Sequence, residues 1–288
     1  MKFKLSVLIV LSFSLLARAE MPEHPYPAVV YKHETITEPV PQKIFVALID
    51  LTNPDVKVRV SPGGPDPDGD GKWQTTLMPP TKVADREKFD VVINGDFFAH
   101  LSGKDAEGAA ALKEFKGGTP ATVAGPAVTD GKLWAPTTKP RAAFLIDEKK
   151  HPAIAEVADP PADAFEVIAG SNILVKDGKN VAPPPEKGFS KGPHPRTAVG
   201  FSKGGNTLVL AVIDGRKPGQ AIGMSLTETA EVMMKYGCTD AVNLDGGGSS
   251  VLAIRDPEDH KMKILNTPSD GRERSVGNVL GVFVTAKK

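Results

Sequence analysis

The sequence predicts a fold built from many short β-strands with few helices, and three observations carry that expectation. Glycine and proline are abundant, 28 and 26 of 288 residues, which favours turns over long helical runs. Short apolar runs bounded by Gly, Pro, Asn and Asp recur along the chain, at 44–50, 90–93, 142–146 and 208–213 among others. Helical signals are confined to 81–89 and 225–237.

Lys2 and Lys4 precede the apolar run Leu5–Leu16, and Ala17-Arg18-Ala19 satisfies the small-x-small rule of signal peptidase. Residues 1–19 therefore read as a removed secretion signal, shorter than the roughly 20 apolar residues of a spanning helix. The mature chain is expected to be secreted or periplasmic, with no membrane insertion. Lys+Arg and Asp+Glu both number 35, so no basic footprint for nucleic acid exists. Cys238 is the single cysteine, and its apolar neighbours indicate a packed thiol.

Residues 20–42 carry five prolines up to Pro41 and read as an extended lead-in strapped over the surface, with the folded domain expected over 43–286. Ile44–Asp50 is a β run and Val56–Val60 alternates, so these two are expected to pair through Asn53-Pro54. Asp66, Asp68 and Asp70, with Gly71, resemble the start of a calcium loop, but Leu77 stands where the bidentate glutamate belongs. A solvated acidic turn and a partial structural calcium site both stay open.

Two prolines start a short helix over Thr81–Phe89, with Val83, Ala84 and the stem of Lys88 on related faces. The strand Asp90–Ile93 then runs into Asn94-Gly95-Asp96-Phe97-Phe98. Asn94 and Asp96 can face a ligand there with Phe97 or Phe98 as a stacking wall; equally, Asn94 can cap its own turn while the phenylalanines fill the core. Residues 99–140 have little periodicity and are expected to form an active-site lid hinged at Gly117-Gly118. Strands follow at Ala142–Ile146, Phe165–Ala169 and Ile173–Lys176, the last closed by an Asp177-Gly178 turn.

The C-terminal third is densest in signals. A strand opens at His194-Pro195-Arg196-Thr197, and the apolar strand Leu208–Ile213 ends in Asp214-Gly215-Arg216. Ser225 and Glu228 form a capping box, after which Leu226, Ala230, Met233 and Met234 make an apolar helical stripe up to Gly237. The working centre is expected at Asn243-Leu244-Asp245-Gly246-Gly247-Gly248-Ser249-Ser250, where a buried strand delivers an acid, three flexible residues and two hydroxyls. Three functional uses are open: a carboxylate beside a ligand, a row of N–H groups facing an anion, or both. A plain glycine-rich turn is the alternative.

With these residues collected, the chain resembles the phosphodiester glycosidase family over roughly Lys43 to Val284. The likeness rests on Asn94-Gly95-Asp96-Phe97-Phe98, Pro195 to Gly200, Asp214-Gly215-Arg216, Ser225-Leu226 with Glu228 and Ala230, Asn243 to Ser250, and Pro268-Ser269-Asp270 with Arg274 and Asn278. It implies an α+β fold around a mixed, mostly antiparallel sheet with a few packed helices, whose strand ends converge on one pocket. It also implies hydrolysis of a glycosidic bond whose oxygen carries phosphate. Asp96 departs from the pattern, since many relatives have a second glycine there.

Such a substrate needs cations for the phosphate and carboxylates for an oxocarbenium-like centre. Arg196 and Arg216 can clamp phosphate oxygens, aided by Arg274, by the Thr197 or Ser249 hydroxyls and by the N–H groups of Gly246, Gly247 and Gly248. Asp214 and Asp245 are the candidate catalytic pair, with His194 as a proton carrier; Asn94, Asp96 and Phe98 would bind the sugar. Asp214-Gly215 also reads as a hairpin turn, and His194 as an exposed loop imidazole. The chemistry requires no cofactor, and calcium is the one cation the acidic loop suggests. The expected partner is a sugar-phosphate or glycan. A non-catalytic carbohydrate- or phosphate-binding envelope module is the competing expectation.

Overall fold

A computed structural model of the chain describes residues 20–64, 73–100, 115–184 and 192–284. In these residues the apolar runs become strands whose two faces are often both buried, which is why they read as continuous rather than alternating. Along Gln42–Asp50, Phe45, Ala47 and Ile49 enter a central core, while Ile44 and Val46 face the opposite side. The strand Thr207–Ile213 divides in the same way, with Leu208, Leu210 and Val212 inward and Val209, Ala211 and Ile213 outward. Each of these Val, Leu, Ile and Phe side chains contributes about 1.5–3 kcal/mol by leaving water, and the alanines less.

The strands assemble into four sheets. The largest has seven strands in the order 29–36, 42–50, 207–213, 196–202, 238–243, 172–176 and 179–180. A five-stranded sheet runs 152–157, 141–147, 164–169, 127–129, 132–135; a second runs 262–264, 252–255, 91–94, 279–283, 57–60. A small three-stranded sheet holds 75–76, 120–123 and 98–100. Every strand pairing among the described residues is antiparallel. The expected mostly antiparallel pairing with a few packed helices is found, but it is divided among four sheets instead of one mixed sheet, with two α-helices among the described residues, so the fold is mostly β. One core cluster joins the three larger sheets through Phe45, Phe144, Ile168, Ile93 and Leu280.

Helix α1 (Pro80–Glu87) starts at its prolines and stops where Lys88 takes a left-handed conformation, φ 66°. Lys88 is exposed, and Phe89 fills the place beside Val83 and Ala84. Helix α2 (Leu226–Lys235) carries the capping box: Glu228 N–H donates to Ser225 Oγ at 3.2 Å, and Ser225 N–H donates to Glu228 Oε2 at 2.8 Å. Leu226, Ala230 and Met233 pack on the outer face of the seven-stranded sheet, whereas Met234 is exposed.

Three expectations change. The lead-in is not merely draped: Val29–Ile36 is the edge strand of the large sheet, and Met21, Tyr26 and Ala28 enter the core. The strand Lys57–Val60 pairs with Val279–Phe283, not with Gln42–Asp50, because burying both faces of each strand requires partners from distant parts of the chain. Within 99–140, residues 120–123, 127–129 and 132–135 form strands and Gly118 N–H donates to Leu77 O at 2.7 Å, so this part is framework; 101–114 lie outside the described residues. Residues 1–19 and the acids Asp66, Asp68 and Asp70 also lie outside them.

Candidate functional site

Two sheets are locked together where their strands end. Asn94 is fully buried at the exit of Val91–Asn94, and its Oδ1 accepts from Thr197 Oγ1 at 2.8 Å and from Val251 N–H at 3.1 Å. Its Nδ2 donates to Asp245 O at 2.7 Å, and Asp245 N–H donates to Gly95 O at 2.9 Å. Since 207–213 and 238–243 both flank 196–202 antiparallel, Asp214 and Asp245 emerge at the same end of the sheet.

Asp245 is partly buried, and burial raises its carboxyl to about 6 against the opposing pull of the Ser249 hydroxyl, Arg274, the Gly246 N–H and Arg216. The glycines after it are required by what approaches them. A Cβ at Gly246 would stand 2.6 Å from Pro195 O, one at Gly247 3.0 Å from Arg216 Nη2, and one at Gly248 2.0 Å from Arg274 Nη2. Gly247 also takes φ 61°. The loop is therefore a seat between two guanidinium groups, with the Asp245 carboxyl in the field of both. Arg216 is exposed, and Arg274 keeps partial exposure while donating from Nε and Nη2 to Asp270 Oδ2 at 3.0 and 2.8 Å. The Arg274 guanidinium lies 4.0 Å over the Phe115 ring, which meets Phe98 edge-on at 5.8 Å.

Of the expected row of glycine amides, Gly247 N–H is engaged, donating to Pro195 O at 2.9 Å, and the Gly246 N–H pulls against the rise of Asp245.

Asp96 is the second acid in this field. It is 1% exposed, accepting from Phe97 N–H and Gly125 N–H at 2.7 Å each, with Arg141 Nη2 3.9 Å away. Burial pushes it up to about 7, with Asp245 adding to the rise. Asn278 Oδ1 accepts from Asp96 N–H at 2.8 Å. Near these acids, the buried Ser250 Oγ, Asn243 Oδ1 and Asn278 Nδ2 have no protein partner among the described residues, the kind of unsatisfied group found at functional sites.

The structure gives several sequence candidates other tasks. Asp214 is 1% exposed and closed off: Asn266 Nδ2 donates to Oδ1 at 3.2 Å, and Thr267 N–H to both oxygens at 3.0 Å. It ties the 266–267 segment to the sheet, with both of its oxygens engaged by the protein. Arg196 is fully buried, its Nε donating to Met224 O at 2.8 Å; burial, with Arg216 nearby, lowers it to about 10. It is packed behind the loop. Asn94 and Thr197 are fully buried and staple the two sheets together. His194 is partly buried and pairs through its backbone with Met224. Among the described residues no group of three or more His, Cys, Asp or Glu side chains could hold a metal ion.

Sequence reasoning gave no role to Phe115, Asp270, Asn266 or Asn278. The last three sit in or near the stretch 268–278 already singled out, but Phe115 had no local signal.

The sequence profile described as phosphodiester glycosidase matches residues 87–283. An uncharacterised prophage-derived protein of Bacillus subtilis is 37% identical over 89 residues, 31% of this chain and 13% of that protein. The N-acetylglucosamine-1-phosphodiester alpha-N-acetylglucosaminidase of Bos taurus is 40% identical over 70 residues, 23% of this chain and 13% of that one. These alignments thus span about an eighth of each relative. In fold, the chain is similar to the catalytic domain of the zebrafish enzyme of the same name, with a TM-score of 0.62 at 19% identity over 94% of this chain and 87% of that one. It is also similar to a protein of Burkholderia pseudomallei provisionally described as exported, with a TM-score of 0.56 at 18% identity over 84% and 74%.

Proposed function

The chain belongs to the phosphodiester glycosidase family, and from that membership we propose that it hydrolyses the glycosidic bond of a sugar-1-phosphodiester, releasing the sugar and a phosphomonoester. The observation that supports this reading best is the pairing of one partly buried carboxyl, Asp245, with two accessible guanidinium groups seated against Gly247 and Gly248. A phosphate held between Arg216 and Arg274 has its negative charge matched before the bond breaks. As the anomeric C–O bond breaks, the electron pair leaves with the phosphate oxygen, where charge builds toward those cations. Asp245, ionised above about pH 6, steadies the developing sugar cation or takes a proton from the water that adds to the anomeric carbon. Burial and the nearby Asp245 both raise Asp96, so the second acid resists ionisation beside the first.

The bovine relative's name specifies N-acetylglucosamine-1-phosphodiesters, which makes that class the starting point for a substrate screen. Hydrolysis in ¹⁸O-water is the test. Label in the released sugar supports the reading, whereas label in the phosphate makes the protein a phosphodiesterase, and bound ligand without product makes it a binding module. We further propose export directed by residues 1–19, to be tested by sequencing the N-terminus of the mature protein, expected at Glu20.

A further inference from the structure

The place of the Arg274 guanidinium is set by three neighbours. Nε and Nη2 donate to Asp270, four residues earlier, at 3.0 and 2.8 Å, but both bonds end on one oxygen, Oδ2. A guanidinium forked over two carboxylate oxygens has its plane fixed, whereas one hinged on a single oxygen can still rock about it. Two further contacts restrict that motion. The glycine loop comes so near that a Cβ at Gly248 would stand 2.5 Å from Arg274 Cζ. The Phe115 ring lies under the cation, with Cζ 4.0 Å from its centroid, a close cation–π contact.

Phe115 is itself held. Phe98 and His100 are two residues apart on the strand 98–100, hence on one face of it, and both meet the Phe115 ring edge-on. The centroids are 5.8 and 5.2 Å apart and the rings cross at 82° and 71°. That strand pairs with 120–123, and Phe98 packs against a buried core cluster. A line of contacts therefore runs from the core through Phe98 to Phe115 and on to the cation. It orders a long, partly exposed side chain that would otherwise sample many rotamers. Among the described residues Arg274 Nη1 makes no hydrogen bond, so its N–H groups are the edge an oxyanion at the loop can take.

We infer that Phe115 is a positioning residue: it fixes the plane of the Arg274 guanidinium so that the Nη1 edge is presented to a phosphate at the glycine loop. The cation then pays little ordering entropy when the phosphate arrives. The inference rests on the reading of Arg274 as a phosphate ligand, and it can be measured without turnover.

The experiment records ¹H–¹⁵N correlation spectra of the arginine Nε–H groups in the full chain, the Arg274 signal being identified by its loss in Arg274→Gln. Inorganic phosphate is then titrated at low salt and followed at the Gly248 backbone amide. Phe115→Leu keeps apolar bulk and removes the ring face. In it the Arg274 signal is expected to lose its ring-current shift, and phosphate to bind about fivefold more weakly, the scale of one cation–π contact at a partly exposed site. Phe115→Tyr retains the face and should keep both properties. The Arg274 signal is the readout that a general loss of stability would not move. A signal or an affinity unchanged in Phe115→Leu, equal losses in Phe115→Leu and Phe115→Tyr, or a wild type that binds no phosphate would overturn the inference. If both effects appear and no sugar diester is hydrolysed, the hydrolase reading fails and the positioning role survives. If diesters are hydrolysed as fast by Phe115→Leu as by the wild type, with phosphate affinity unchanged, the reverse is true.

Discussion

Asp214-Gly215 and Asp245-Gly246 are the same two residues at the ends of strands that flank a common neighbour, yet they do different work. Asp245 opens toward two guanidinium groups and a hydroxyl, while Asp214 is sealed by Asn266 and Thr267. The glycines directly after the two acids are alike, since a Cβ at Gly246 would meet Pro195 O at 2.6 Å and one at Gly215 Pro195 N at 2.7 Å; the exits diverge two residues later, where a Cβ at Gly248 would meet the movable end of Arg274. Identical local sequence thus becomes chemistry at one exit and framework at the other, according to what distant segments bring alongside.

The largest expected effect separates the two acids. Asp245→Asn should lower kcat for sugar release by about 10³-fold with the urea midpoint little changed, since it removes a charge that acts at the reacting centre. Asp214→Asn should instead lose stability, by about 1–3 kcal/mol, because a buried amide cannot accept from every donor aimed at it. Activity destroyed in Asp214→Asn with unchanged stability would break the comparison.

Next come the glycines. Gly248→Ala should displace Arg274 and cut kcat/KM by about 10–100-fold, as removing a charge-stabilising donor does. Gly215→Ala should cost about 1–3 kcal/mol of stability through overpacking against backbone.

The pH profile sharpens the contrast further. The Asp245 carboxyl is raised to about 6 and must be ionised to act, so activity is present above that value and lost as pH falls through it. Below about pH 6, kcat/KM should drop about tenfold per unit, read from initial rates between pH 4 and 8. A limb centred near the ordinary aspartate value would remove Asp245 from the role. The smallest effect belongs to the staple: Thr197→Val deletes one donor to Asn94 and should cost about 1 kcal/mol without moving the pH limb, since Val251 N–H still serves the same oxygen.

Much of this was legible in the chain. The apolar strand running into Asp245 and three glycines announced itself, because strand, turn and close approach each leave a local residue signature. The capping box of α2 was legible for the same reason, its two hydrogen bonds joining residues three apart. What could not be read was which acids would be covered. The donors to Asp214 lie 52 and 53 residues downstream, and the ring under Arg274 comes from Phe115. The pairing of Lys57–Val60 with Val279–Phe283 was equally hidden, for a short alternating run fits any strand edge of matching polarity.

The order of residues settled where strands and turns fall, which exits carry acids and glycines, and to which family the chain belongs, because those depend on near neighbours and on motif order. Folding settled which of two like aspartates stays open, which arginines reach the loop, and that the lead-in becomes a sheet edge. Those outcomes depend on contacts between remote segments, whose energies arise only when water is excluded and donors and charges meet in space.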